Sequence, residues 1–150
     1  MENQGKLIGL ARTARRLAAM EEIPHATITV EAGITGDARG HKPGRQITLL
    51  FREDWEAACR DVPGLGAVLP WVTRRANLLV EGLVNPRRAG GYMIIGEVVL
   101  EVAGETEPCA LMEKAQAGLK AALTPDWRGG VCCKVVKGGE IAQGNFVILD

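Results

Sequence analysis

Serine is absent from the 150 residues. That gap removes Gly-x-Ser-x-Gly chemistry and every serine-nucleophile triad. Histidine is almost as scarce: His25 and His41 stand alone, and the cysteines at 59, 109, 132 and 133 offer no paired spacing for a zinc site. Charge of one sign is missing too, since 18 basic residues offset 18 acidic ones. Nucleic acid and anionic membranes both select a cationic surplus, so neither is an expected partner. Long apolar runs are lacking. The charge-free stretch 62–73 is broken by Pro63, Gly64, Gly66 and Pro70, and is too short to cross a bilayer. Residues 1–6 have no apolar segment of the secretory kind, and the acids Glu2, Glu21 and Glu22 around Arg12, Arg15 and Arg16 do not suit a transit peptide. Four cysteines are too few for a disulfide scaffold, so a reducing, cytoplasmic setting is expected.

Glycine is what the chain has in excess, with 19 residues punctuating short runs of period two. Ala26, Ile28 and Val30 form one such run, Ile47, Leu49 and Phe51 a second, and Val98, Leu100 and Val102 a third. Each turns one apolar face inward, as a half-buried strand requires. Residues 7–11, 77–80, 131–136 and 146–149 read as further strands, with Gly138-Gly139 predicting a tight hairpin turn between the last two. Two stripes have helical spacing: Phe51, Trp55, Ala58, Cys59 and Val62, stopped by Pro63-Gly64, and Leu111, Ala115, Leu119, Ala122 and Leu123, stopped near Thr124-Pro125. The pattern predicts a mainly β chain, a barrel of short antiparallel strands with two or three short helices, built as a single domain over 1–150.

With serine and paired metal ligands gone, thiol chemistry remains. Cys59 falls on a helical apolar stripe and reads as core. Cys132 and Cys133 are neighbours in a strand and point to opposite faces. Cys109 follows Pro108 and precedes the second helix, where unsatisfied N–H groups favour a thiolate. Glu105 and Glu107 oppose that effect if they face it. Arg74-Arg75-Ala76-Asn77 leads into a strand and presents fork-shaped donors suited to phosphate or carboxylate. Trp127-Arg128-Gly129-Gly130 is a loop whose glycines allow close backbone approach to a ligand or serve a plain turn. Arg87-Arg88 reads as a wet turn.

Several segments taken in order resemble the MOSC domain, named after the C-terminal domain of molybdenum-cofactor sulfurase. They are Gly33-Ile34-Thr35-Gly36-Asp37, Arg45-Gln46-Ile47-Thr48-Leu49-Leu50, Arg74-Arg75-Ala76-Asn77-Leu78, the strand from Ile95 through Val102, Glu107-Pro108-Cys109, and Gly129-Gly130-Val131 onward to Ile141. The resemblance implies a β-barrel-like fold and a cysteine, matched by Cys109, that carries sulfur or ligates molybdenum. It implies that Arg75 and Asn77 help hold the cofactor and that Arg45 is structural or anion-binding. Glu105, Glu107 and Asn145 depart from the family pattern.

Three functions are compatible with these residues. The first is binding of molybdenum cofactor (molybdopterin) or a related sulfur-bearing species through Cys109, acting in molybdenum-dependent reduction or in cofactor sulfuration. Arg45, Arg75 and Arg128 would then neutralise the pterin phosphate, and Asn77 would orient it. A reductase would need a separate electron-transfer protein, since no flavin, haem or iron–sulfur motif is present. The second is a metal-free persulfide carrier loaded by a cysteine desulfurase. The third is a non-catalytic module for a phosphorylated ligand held by the Arg75 region. The family's association with pyridoxal phosphate is a further implication of the resemblance, and exposed strand edges make a homodimer an expectation.

Overall fold

Alternating side chains commit seven segments to one closed sheet. In the computed structural model, which describes residues 3–150, these are β1 (Gln4–Arg12), β5 (Ile47–Phe51), β6 (Leu78–Glu81), β7 (Tyr92–Ile95), β8 (Val98–Glu105), β9 (Val131–Lys137) and β11 (Phe146–Leu149). They pair in the order β11-β7-β8-β9-β5-β6-β1, and β1 returns to β11, closing the barrel. Leu7, Leu49, Phe51, Leu78, Val80, Leu100, Val131, Cys133 and Val135 fill its interior. A short β2 (Glu21–Glu22) extends β1, while β3 (His25–Thr29), β4 (Gly33–Ile34) and β10 (Gly139–Ala142) make a small second sheet in the order β10-β3-β4. Among the described residues, closure leaves strand edges only on the short β2, β4 and β10.

All pairs are antiparallel except β5–β6, which is parallel. Parallel neighbours cannot be joined by a hairpin. The chain therefore leaves the barrel as α1 (Arg52–Asp61) and re-enters β6 through a 3-10 turn, Trp71–Arg74. This crossover, with α2 (Ala110–Ala115) and α3 (Leu119–Leu123), covers the outer face of β5 and β6. Leu50 and Leu79 point outward there and meet Trp55, Ala58, Cys59, Val62, Met112, Leu119 and Leu123. No helix of the described residues is long and apolar enough to cross a membrane.

Several sequence expectations are corrected. Phe51 is not part of the first helical stripe: it ends β5 and packs inside the barrel, while Trp55, Ala58, Cys59 and Val62 keep the helical face. The second stripe is two helices rather than one. Gly118, at φ 88°, turns the chain between them, leaving Leu111 and Ala115 exposed. Gly138-Gly139 is no hairpin turn, because β10 pairs with β3 in the other sheet, and a side chain at Gly138 would strike the Ile28 carbonyl. Val30 lies beyond β3 and is exposed. The strands β2, β4, β7 and β10 had no separate expectation; two of them are only two residues long and carry no readable period.

Candidate functional site

The crossover that forces a parallel pair also delivers the first element of the site. Its 3-10 turn ends at Arg74, which is only 6% exposed. Arg74 Nε donates to the Gly129 carbonyl at 3.0 Å and Nη2 to the Thr106 carbonyl at 2.9 Å. One guanidinium thereby ties the crossover to the two loops that flank Cys109 and the start of β9. It forms no ion pair among the described residues. Burial pushes its pKa down to about 10; the charge on Cys109 pulls it up and that of Arg45 pushes it down. Gly129 allows this packing, since a Cβ there would lie 2.4 Å from the Thr106 carbonyl oxygen and 3.0 Å from Arg74 Nη2.

Cys109 follows the end of β8 by a short loop and occupies the N-cap of α2 in extended conformation. Its thiol is free and the residue is exposed. The helix behind it has six residues, under two turns, so the field of aligned peptides anticipated from the sequence is short. A positive charge that interacts with Cys109 comes from Arg74 instead.

Arg75 follows at φ 65°, a left-handed backbone uncommon outside glycine, closed by its N–H donating to the Val72 carbonyl at 2.9 Å. Its conformation is held from both ends. Arg39 Nη1 donates to the Arg75 carbonyl at 2.8 Å, and Arg75 Nη2 donates to the Ala18 carbonyl at 2.8 Å. Arg39 is fixed in turn by buried Asp37, whose Oδ1 lies 3.4 Å from Arg39 Nη2 and also accepts the Thr13 N–H at 3.0 Å. Burial, then the Arg39 charge, pushes the Arg75 pKa down.

These groups line a hollow of about 260 Å³ that opens to solvent. Six cations face it, Arg16, Arg39, Lys42, Arg45, Arg74 and Arg75, against one carboxylate, Glu107. The chain's charges cancel overall, yet here they are sorted. Thr106, 9% exposed, also lines the hollow, and its buried Oγ1 has no hydrogen-bond partner among the described residues.

The structure therefore brings together Cys109, Arg45, Arg75 and Asn77 of the residues singled out from the sequence. Asn77 is already engaged: its Oδ1 accepts the Thr48 N–H at 3.0 Å and its Nδ2 donates to the Ala11 carbonyl at 3.2 Å, bridging β1, β5 and β6. Arg128 does not line the hollow. Its Nη1 donates to Asp61 Oδ2 at 2.8 Å and to the Ala122 carbonyl at 3.0 Å, because its loop faces α1 and α3. Arg16, Arg39, Lys42 and Thr106 were not anticipated as site residues, and Arg74 was noticed only as part of a run. The Arg12-Arg15-Arg16 cluster was the signal for Arg16; isolated cations such as Arg39 and Lys42 carry none. Asn145, far along the chain, uses its Oδ1 to accept the Ala142 N–H at 2.8 Å in the turn before β11. No group of three or more His, Cys, Asp or Glu among the described residues could by itself hold a metal ion.

Compared with known proteins, residues 37–147 match the family model described as MOSC domain. The chain belongs to the MOSC domain family. No curated protein sequence matches it. Among solved structures it is similar to YuaD protein from Bacillus subtilis, with a TM-score of 0.80 and 20% identity over 99% of this chain and 97% of that one. It is also similar to YiiM from Escherichia coli (TM-score 0.71, 17% identity, 97% of this chain and 69% of that one). YiiM from Geobacillus stearothermophilus gives 0.69 and 15% over 97% and 73%. At these identities the likeness establishes the MOSC fold. The family is associated with molybdenum cofactor binding or sulfuration, and nothing in the comparisons supports pyridoxal phosphate. The hollow's residues suit an anionic group with a sulfur-seeking centre: among the described residues Arg74 is buried without a counter-ion and Thr106 Oγ1 lacks a partner, and Cys109 presents its thiol.

Proposed function

We propose that this MOSC chain holds molybdenum cofactor, or a related sulfur-bearing species, in the cationic hollow, with Cys109 as its sulfur ligand. The supporting observation is the sorting of charge: six cations and one exposed thiol share a single hollow in a chain with no net charge. When bound, the cofactor supplies a redox-active metal at which oxygen or sulfur can be exchanged. Cys109 offers the soft donor that such a metal prefers. Arg45 and Lys42, at the exposed rim, attract the phosphate end, and Arg75, locked by Arg39 and Asp37, presents a fixed fork to it. Arg74 keeps the Thr106 and Gly129 loops at their spacing and supplies buried positive charge. Expression in cells that make the cofactor, followed by molybdenum analysis and fluorescence of released pterin, tests this. Wild-type protein is expected to carry both, Cys109→Ala to lose the metal, and Arg45→Ala to hold less pterin. Freshly prepared wild-type protein with neither overturns the reading.

A second reading, a persulfide carrier, is favoured by the exposure of Cys109 at the rim. The Cys109 thiolate attacks the outer sulfur of a donor persulfide, a new S–S bond forms, and the donor departs as its own thiolate. Incubation with a cysteine desulfurase and cysteine is expected to add one sulfur atom to the intact mass, and Cys109→Ala to add none. A wild-type mass that does not change overturns it.

A further inference from the structure

A guanidinium buried without a counter-ion is expensive unless an anion completes it. Arg74 is 6% exposed, directs two of its nitrogens to backbone carbonyls rather than to carboxylates, and lines the hollow. Thr106 brings an unpartnered, buried hydroxyl to the same wall. Arg16, Lys42 and Arg45 also form no ion pair among the described residues, so three further cations are available to a ligand. These groups need an oxyanion. Cys109, in the same lining, needs an electrophile it can attack. Phosphate and sulfate satisfy the first need and not the second. A neutral disulfide satisfies the second and leaves Arg74 unpaired.

We infer that the hollow binds a thiosulfonate, an anion bearing a sulfane sulfur on a sulfonyl group, and that Cys109 takes that sulfur from it. The inference rests on the carrier reading of Cys109 and names a small-molecule donor for it. The Cys109 thiolate attacks the sulfane sulfur. One S–S bond forms between them as the bond from sulfane to sulfonyl sulfur breaks, and its electron pair leaves on the sulfonyl sulfur as sulfite or a sulfinate. Charge is conserved: a thiolate and a dianionic thiosulfate become a persulfide anion and a dianionic sulfite, with no proton, oxidant or reductant required. Arg74 and the Thr106 hydroxyl face the sulfonyl oxygens, and Lys42, Arg45 and Arg16 draw the anion in.

The test uses the reduced, full chain with sodium thiosulfate as the probe. Sulfite release and an intact-mass gain of one sulfur atom are expected together, with thiocyanate formed when cyanide is then added. Cys109→Ala should abolish all three. Lys42→Ala and Arg45→Ala, both at exposed positions, should slow sulfite release by about tenfold at low ionic strength. Their thermal midpoints should match that of the wild type, which reports an intact fold. Sulfite release that survives Cys109→Ala, or that ignores both charge deletions, overturns the inference. Wild-type protein loaded by a desulfurase but inert to thiosulfate overturns the donor class while the carrier reading stands. Protein loaded by neither overturns both.

Discussion

Cys133 and Cys109 carry the same thiol into two regions that treat it oppositely. Cys133 is wholly buried inside the barrel with Leu49, Val102 and Val135, and burial, followed by the charge of Cys132, pushes its pKa up. Cys109 is exposed on a hollow lined by six cations. One region has no partner to offer a thiolate; the other has little else to offer. The arginines repeat the contrast. Arg128 is paired with Asp61, whereas Arg74 is more deeply buried and has no carboxylate partner among the described residues. The lesson is that reactivity in this protein is assigned by surroundings, and that the cost of an unbalanced site is carried by a barrel satisfied almost everywhere else.

The contrast can be broken most sharply by labelling. Native protein treated with iodoacetamide should be modified at Cys109 alone, with Cys59, Cys132 and Cys133 slower by at least about a thousandfold, because they react only through opening. Peptide mass spectrometry reads this, and comparable labelling of Cys133 would erase the distinction. Next in size is Cys133→Asp, which places a carboxylate inside the barrel and should cost about 4 kcal/mol or more in urea unfolding. A midpoint near that of wild type would mean that the interior is wetter than its packing indicates. Asn77→Ala should cost about 2 kcal/mol, since it strips partners from the Thr48 N–H and the Ala11 carbonyl.

The smallest effect concerns Arg74 and has a defined pH dependence. Its folded pKa lies below the unfolded value, so the folded chain bears the cost of the buried charge at neutral pH, and that cost begins to fall only as pH rises above about 10 toward the unfolded value. An anion in the hollow offsets that cost only while the charge is present. Millimolar sulfate should therefore raise Tm by about 2 °C near pH 7, with the gain shrinking as pH rises past about 10. Arg45→Ala should leave Tm in water nearly unchanged and reduce the gain. A sulfate effect indifferent to pH and to Arg45 would detach it from this hollow.

Much of the barrel was legible: β5 and β8 lie where a period of two pointed, and β1, β6, β9 and β11 where further strands were read. Phe51 was assigned to the wrong element because it satisfies both periods, closing a strand and opening a helix, and only the barrel interior decides between them. The second helix was read as one stripe because spacing alone does not register the left-handed turn at Gly118. At the site, Cys109, Arg75 and Asn77 were singled out from their local sequence and again through the family resemblance, Arg45 through the resemblance alone, and Arg128 from its glycine-flanked loop. Nothing local told Arg128 from Arg74, since both precede strands and differ only in what lies across from them.

By itself the amino-acid sequence determined the mainly β architecture, the family, and the removal of serine-nucleophile chemistry, all of which follow from residue type, period and order. Only the tertiary structure decided which charges have partners. The parallel β5–β6 pair forces a crossover that buries Arg74 beside loops arriving from positions 106 and 129. Electrostatic balance depends on distances between segments remote in the chain, and those distances exist only once the barrel has closed.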